Sequence, residues 1–212
     1  MQDAIIVQRP ATTARHLVLL FHGVGASPEG LRPLGAAVAR HFKDAWVVSV
    51  RSPAASDFGS GWQWFSVRGV DEANRPARVA AAMPRFVQTI QQWQRDTGLG
   101  PADTTLIGFS QGAIMSLEAT QQDVPLAGRV IAIAGRFAQP PRRAPLQTTL
   151  HLMHGDQDAV MPSVLSAEAV EQLHALGAKA TLDLFPRLDH GIDQRVLDRI
   201  VERMQDRAVE TD

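Results

Sequence analysis

Short apolar runs alternate with longer stretches of helical periodicity along this chain. Residues 4–7, 17–21, 46–50, 104–107, 129–134, 148–153 and 180–185 read as strands. The second of these, LVLLF, is apolar throughout, as a strand covered on both faces of a sheet would be. Residues 31–42 place Leu31, Leu34, Val38 and Phe42 on one helical face. Residues 79–93 do the same with Val79, Ala82, Met83, Phe86, Val87, Ile90 and Trp93, and Pro84 among them predicts a kink or the true start of that helix. Residues 113–119 and 163–176 are helical, the latter closed by Gly177 as a C-cap. Ile192, Val196, Leu197, Ile200, Val201 and Met204 form the apolar face of a last helix.

This order predicts an α/β fold, a mostly parallel central sheet flanked by helices on both faces. No repeat, low-complexity tract or linker interrupts it, so one domain is expected over residues 1–212. In such sheets binding sites gather at the carboxyl ends of the strands, which directs attention to the loops that follow them. One of those loops, from residue 51 to about residue 75, is long and irregular and holds Trp62, Trp64 and Phe65 among Gly and Ser. Loops of this length inside a compact domain are functional or mobile.

Composition excludes several kinds of protein. The 212 residues are 45% hydrophobic and 20% charged, ordinary for a soluble globular domain. A formal net charge of −1 gives no bulk attraction to nucleic acid or to acidic membranes, so neither is expected as a partner. With no cysteine, disulfides, zinc–thiolate sites and a cysteine nucleophile are ruled out. The opening residues lack a basic stretch followed by a long apolar one, so no secretory signal is expected. No apolar run approaches the ~20 residues of a membrane span, and a cytoplasmic location is the expectation.

The densest chemical signal is Gly108-Phe109-Ser110-Gln111-Gly112, between an apolar run and a helical pattern. Taken alone, the five residues fit an ordinary strand-to-helix turn. In that setting they have the layout of a nucleophile elbow, in which both glycines are needed because a side chain there would crowd the neighbouring strand and helix. Ser110 then projects from the carboxyl end of the sheet, above a helix N-terminus that favours developing negative charge.

A serine hydroxyl needs a base to take its proton and a partner to orient that base. Among the seven histidines, His16, His41, His151 and His174 lie in strand or helix patterns and read as structural or surface residues. His190 lies in the loop between the last strand and the last helix, at the correct end of the sheet and in the order Ser, acid, His. The acid is sought after an earlier strand, where His154-Gly155-Asp156-Gln157-Asp158 offers two carboxylates. Asp158 is favoured, because Asp156 reads as a turn-former that bonds its own backbone. Asp156 and Asp189 remain rivals. Oxyanion donors are assigned to the backbone N–H groups of Val24, in the loop Phe21-His22-Gly23-Val24-Gly25, and of Gln111. His22 reads as a brace for that loop rather than as a base.

These pieces, with Trp64-Phe65, Val160-Met161-Pro162 and Asp189-His190-Gly191, give the chain a resemblance to the phospholipase/carboxylesterase family, which includes acyl-protein thioesterases, and within it to small bacterial YpfH-type esterases. The resemblance runs from about residue 16 to the end. It implies an α/β-hydrolase without a large cap domain and a triad of Ser110, Asp158 and His190, and no cofactor or metal is required. Phe21 stands where many relatives have leucine, and Gly191-Ile192 follow the histidine where thioesterase relatives often differ, so the substrate is less defined than the reaction.

The expected activity is a serine carboxylesterase acting on short to medium acyl esters. The alternatives are an acyl-thioesterase or lysophospholipase and, more remotely, a non-catalytic hydrolase-fold binding protein. Its partner is a small-molecule acyl ester or thioester, and the chain is expected as a monomer or homodimer. Trp64, Phe65 and Phe137 are candidates to line an apolar acyl groove, against the alternative that the tryptophans pin the loop to the core. Arg136 reads as solvated surface rather than as an anchor for an acidic substrate group.

Overall fold

The computed structural model describes residues 4–206; residues 1–3, where the segment read as lacking a signal begins, and 207–212 lie outside the described residues. The elements follow one another as β1 (Ala4–Gln8), β2 (His16–Phe21), α1 (Arg32–His41), β3 (Ala45–Val50), β4 (Ala54–Ala55), β5 (Trp62–Gln63), α2 (Arg75–Thr97), β6 (Thr104–Phe109), α3 (Gln111–Ala119), β7 (Arg129–Ile133), β8 (Thr149–Gly155), α4 (Val164–Ala175), β9 (Ala180–Phe185) and α5 (Gln194–Gln205). Seven strands form one sheet in the order β1-β3-β2-β6-β7-β8-β9, and β4 pairs with β5 alone. Within the large sheet β1 runs antiparallel to β3 and the remaining pairs are parallel. This is the mostly parallel, two-faced sheet that the alternation of elements predicts, and the α/β-hydrolase architecture that the resemblance implies.

The continuous apolar run in β2 is explained by the layers. Leu17, Leu19 and Phe21 point into one core with Phe86 of α2, Met115 of α3 and Leu173 of α4. Val18 and Leu20 point into the other with Val38 of α1 and Ile200 of α5. With period-2 alternation and both faces covered, no position in the strand is left for a polar side chain.

Of the two expectations for Pro84, the one that makes it the start of the helix is corrected. Helix α2 starts at Arg75, with Pro76 in its first turn, and Pro84 lies inside it. Pro84 and the residue four before it, Ala80, are both exposed, so the carbonyl that loses its helical donor can be hydrated. Gly177 follows α4 with φ 85°, and its N–H donates to His174 O (2.9 Å), closing the helix as expected. Among the described residues no helix is long and apolar enough to cross a membrane.

Candidate active site

Ser110 joins β6, in the middle of the sheet, to α3, with φ 53° and ψ −114°. Few residues other than glycine occupy positive φ, and here the surroundings hold it. Ser110 N–H donates to Ile133 O (2.9 Å) of β7, and Ser110 O accepts from Ile114 N–H (3.1 Å). A Cβ on Gly108 would stand 2.4 Å from Gly112 O, and one on Gly112 would stand 2.1 Å from Phe21 O at the end of β2. The two glycines of the motif thus permit the close approach of β6, α3 and β2.

The acid–base side is built from the ends of β8 and β9. His190 Nε2 lies 2.9 Å from Ser110 Oγ, and His190 Nδ1 lies 2.7 Å from Asp158 Oδ2. The Asp158 side chain is fully buried, and its Oδ1 accepts from the N–H groups of Val160 (2.9 Å) and Met161 (2.8 Å). Burial by itself would raise the Asp158 pKa; the hydrogen bonds from His190, Met161 and Val160 outweigh it and hold the carboxyl below its ordinary range. Asp156 does not bond its own turn as expected. Its Oδ1 accepts from Arg187 N–H (2.6 Å), and Gln157 N–H donates to Leu188 O (3.0 Å), so the β8 loop grips the loop that carries His190. The approach is close, since a Cβ on Gly155 would meet Leu188 O at 2.2 Å.

The opposite side carries backbone donors. Gln111 opens α3, and its N–H has no intrahelical acceptor. The Val24 loop passes directly against the serine: a Cβ on Gly23 would lie 3.1 Å from Ser110 Cβ. His22 braces this loop. Its Nδ1–H donates to Gly23 O (2.8 Å) and its Nε2 accepts from Ser52 N–H (3.1 Å), and burial pushes its pKa down. Both ring nitrogens are therefore occupied by structure.

The irregular stretch after β3 is neither loose nor featureless. Gly25 N–H donates to Trp62 O (2.9 Å) and Trp62 N–H to Ala26 O (2.8 Å), which zips the stretch to the Val24 loop. The Gln111 side chain then clamps it to the elbow, accepting at Oε1 from Trp64 N–H (2.7 Å) and donating from Nε2 to Phe65 O (2.7 Å). The Trp64 indole N–H donates to His22 O (3.2 Å). Further out, Asp57 Oδ2 accepts from Ser66 Oγ (2.7 Å), Val67 N–H (2.9 Å) and Arg68 N–H (3.2 Å). The Ser66 hydroxyl, then Gln63, are the main reasons its pKa falls to about 2.

The structure brings together Ser110, Asp158 and His190, and sets the Val24 and Gln111 segments beside them. It does not present Trp64, Phe65 and Phe137 as an open wall. Their exposures are 4%, 7% and 4%, and all three pack into the core on the α2–α4 side. Trp64 stacks edge-on against Phe21 and Phe86, so aromatic side chains that follow a strand are used here as core. Val24 and Val160 are the exposed apolar side chains of the two loops flanking Ser110. Arg136 is corrected as well: its guanidinium is paired with Glu72 (Nη1 to Oε1 3.0 Å, Nη2 to Oε2 2.8 Å) and its Nε–H donates to Phe137 O (3.1 Å).

Two features escaped the sequence reading, the Gln111 side-chain clamp and His154, which lies on Asp158. The histidine four residues before the acid was a usable signal for the second, because both lie at the carboxyl end of the same strand. No local signal announces the first. Among the described residues no cluster of histidine and carboxylate side chains is grouped to hold a metal ion.

Comparison with known proteins matches residues 2–206 to the model of the family described as Phospholipase/Carboxylesterase. The chain is 44% identical over 203 residues to the protein named Esterase YpfH of Escherichia coli (strain K12), covering 96% of this chain and 88% of that one. It is 28% identical over 187 residues to acyl-protein thioesterase 1 of Kluyveromyces lactis, covering 79% and 80% of the two chains. Among solved structures, esterase PE8 superposes with a TM-score of 0.84 at 32% identity, covering 92% of this chain and 95% of that one.

Proposed function

Because the chain belongs to the phospholipase/carboxylesterase family, a hydrolase family, we propose that it is a serine carboxylesterase acting on short to medium acyl esters through an acyl-enzyme. The observation that carries this reading is the continuous path from Ser110 Oγ to His190 Nε2 (2.9 Å) and from His190 Nδ1 to Asp158 Oδ2 (2.7 Å).

In this mechanism Ser110 Oγ attacks the acyl carbonyl while His190 Nε2 takes the hydroxyl proton. Asp158 accepts from Nδ1–H, which holds the imidazole in the tautomer that leaves Nε2 free and stabilises the imidazolium that forms. The carbonyl oxygen becomes an oxyanion facing the N–H groups of Val24 and Gln111, with the N-terminus of α3 behind them. Collapse of the tetrahedral intermediate breaks the bond to the leaving group, which takes the proton from His190 Nε2. Water then gives a proton to His190 and attacks the acyl-enzyme. The second collapse returns that proton to Ser110 and releases the carboxylic acid.

The same acyl-enzyme serves thioesters, and the similarity to a protein named acyl-protein thioesterase 1 makes a thioester substrate the second reading. The reading also takes the enzyme to be cytoplasmic, which cell fractionation checks. The deciding experiment is hydrolysis of 4-nitrophenyl esters from acetate to palmitate beside matched thioesters. An optimum at short to medium esters is expected, and Ser110→Ala should lower turnover by at least about 10³-fold while the fold melts normally. A Ser110→Ala enzyme with full activity would overturn the assignment, and a preference for thioesters would move the reading to the second.

A further inference from the structure

His154 is a buried histidine with no place in the mechanism above. Its side chain has no exposure to solvent, and it is the next-to-last residue of β8, four residues before Asp158. Its Nε2 lies 2.7 Å from Met161 O and 3.1 Å from Asp158 Oδ2. A backbone carbonyl only accepts, and an ionised carboxylate only accepts, so Nε2 must carry the proton and donate to both. On the other side of the ring, Nδ1 lies 2.7 Å from Ser166 Oγ of α4. With Nε2 protonated and the ring neutral, Nδ1 is the acceptor and the Ser166 hydroxyl is the donor.

Asp158 therefore receives donors from four groups. Two are the N–H groups of Val160 and Met161 at Oδ1, and two are the rings of His190 (2.7 Å) and His154 (3.1 Å) at Oδ2. We propose that His154 is a positioning residue for the reaction: a second histidine whose Nε2–H aims Asp158 Oδ2 at His190 and sets how strongly the carboxylate attracts the His190 proton. This rests on the reading of Ser110, Asp158 and His190 as the catalytic groups.

The surroundings keep the ring in that state. Burial is the largest influence on His154 and lowers its pKa; the Met161 carbonyl and Asp158 act in the opposite direction, and His190 adds to the lowering. The ionisable groups that bear on it are thus Asp158 from its own loop and His190 from the loop after β9. Ser166 on α4 and the Met161 carbonyl complete the surround without carrying charge. Gly135 O, just past β7, lies 3.2 Å from the same Oγ and competes for its single proton, so it is the 2.7 Å contact to Nδ1 that ties the end of β8 to α4 behind the acid.

The consequence is a division of labour on one carboxylate oxygen. Taking the His154 donor away leaves a buried anion with one fewer hydrogen bond, so its remaining charge is drawn more strongly to His190. The imidazolium form becomes easier to reach, and the acidic limb of kcat/KM must move to higher pH. The side chain is also less well aimed, so kcat must fall.

Two amides separate this role from packing. Asparagine at 154 reaches where Nδ1 stood and keeps the Ser166 partner, whereas glutamine reaches where Nε2 stood and keeps a donor on Asp158. His154→Asn is expected to raise the acidic limb by about half to one pH unit and to lower kcat about tenfold, the scale of one hydrogen bond to a charged group. His154→Gln should restore most of both. Limbs unmoved in both variants, or moved equally, would overturn the proposal. Ser110→Ala, made in parallel, tests the catalytic reading separately: if it abolishes turnover while His154→Asn leaves the pH profile untouched, only the role of His154 fails. A measurement on the unmodified enzyme covers the case of a variant that does not fold. Nitrogen-15 NMR of His154 should show the neutral ring protonated at Nε2 from pH 7 to 9; a ring protonated at Nδ1, or charged in that range, would overturn the proposal.

Discussion

On the β8–β9 side of Ser110 the chemistry is held by side chains: a buried carboxylate, two imidazoles and a hydroxyl, linked in one network. On the β2–β3 side it is held by backbone. The segments carrying the Val24 and Gln111 N–H groups are set by a loop that zips to one of them through Trp62 and is clamped to the other by the Gln111 side chain. Most of the first arrangement is local, since His154, Asp158 and Met161 fall within eight residues and Ser166 follows five later, with only His190 arriving from a distant loop. The second draws on residues 22–26, 52–68 and 111. The difference fits the roles proposed for the two sides. A general base needs a tuned charge, and charge is tuned by a few nearby groups. Oxyanion donors need fixed N–H directions, and direction is fixed only by bracing the backbone from several sides.

This contrast can be broken at both ends. The largest effect is expected from Asp158→Asn. The new NH2 group facing His190 would force the imidazole proton onto Nε2, where it cannot accept from Ser110, and kcat should fall about 10³–10⁴-fold. Fluorophosphonate labelling of Ser110 should slow in parallel. Undiminished labelling would show that the carboxylate does not orient the base.

Gln111→Ala should lower kcat by about 10- to 100-fold, because the Trp64 N–H and the Phe65 carbonyl lose their partners and the brace on the elbow loosens. Its diagnostic feature is a pH profile that stays in place, in contrast to the shift expected for His154→Asn. A shifted profile in Gln111→Ala would erase the distinction between the two sides.

The smallest effect belongs to Asp57, at the outer edge of the brace. Its pKa in the folded protein is depressed to about 2, so its contribution is present above the ordinary carboxylate value and is lost as pH falls through about 2. Hydrogen exchange at Val67 and Arg68 should therefore stay slow at pH 4. Asp57→Asn should speed exchange at those two amides at neutral pH while changing turnover less than about twofold, since the half-buried carboxylate acts at the loop's rim, away from Ser110. Fast exchange at pH 4 in the unmodified protein would remove Asp57 from the brace.

The two sides also differ in how far they could be read from residue order. Gly108, Ser110 and Gly112 are legible because backbone crowding restricts which residues fit there, and a restriction on residue type leaves a mark in the sequence. Asp158 and His190 were legible because topology sends the ends of parallel strands to one edge. Trp64 and Phe137 misled because an aromatic after a strand has the same local pattern whether it faces a ligand or the core. Pro84 misled as a helix start because the cost of a proline inside a helix depends on whether that face is wet, which composition does not state.

By itself, then, the order of residues determined the α/β layering and the elbow, and it singled out Ser110, Asp158 and His190 as candidates. These follow from periodicity and from local steric limits, and both act over a few neighbouring residues. Only the tertiary structure decided that His154 shares Asp158 with His190, that Gln111 clamps Trp64 and Phe65, and that Glu72 occupies Arg136. The last two are contacts between residues 46 or more positions apart, and the first depends on a ring orientation set by Ser166 and Met161. Side-chain hydrogen bonds are short-ranged and directional, so which partners meet is settled by the packing of whole elements, after the local pattern has done its part.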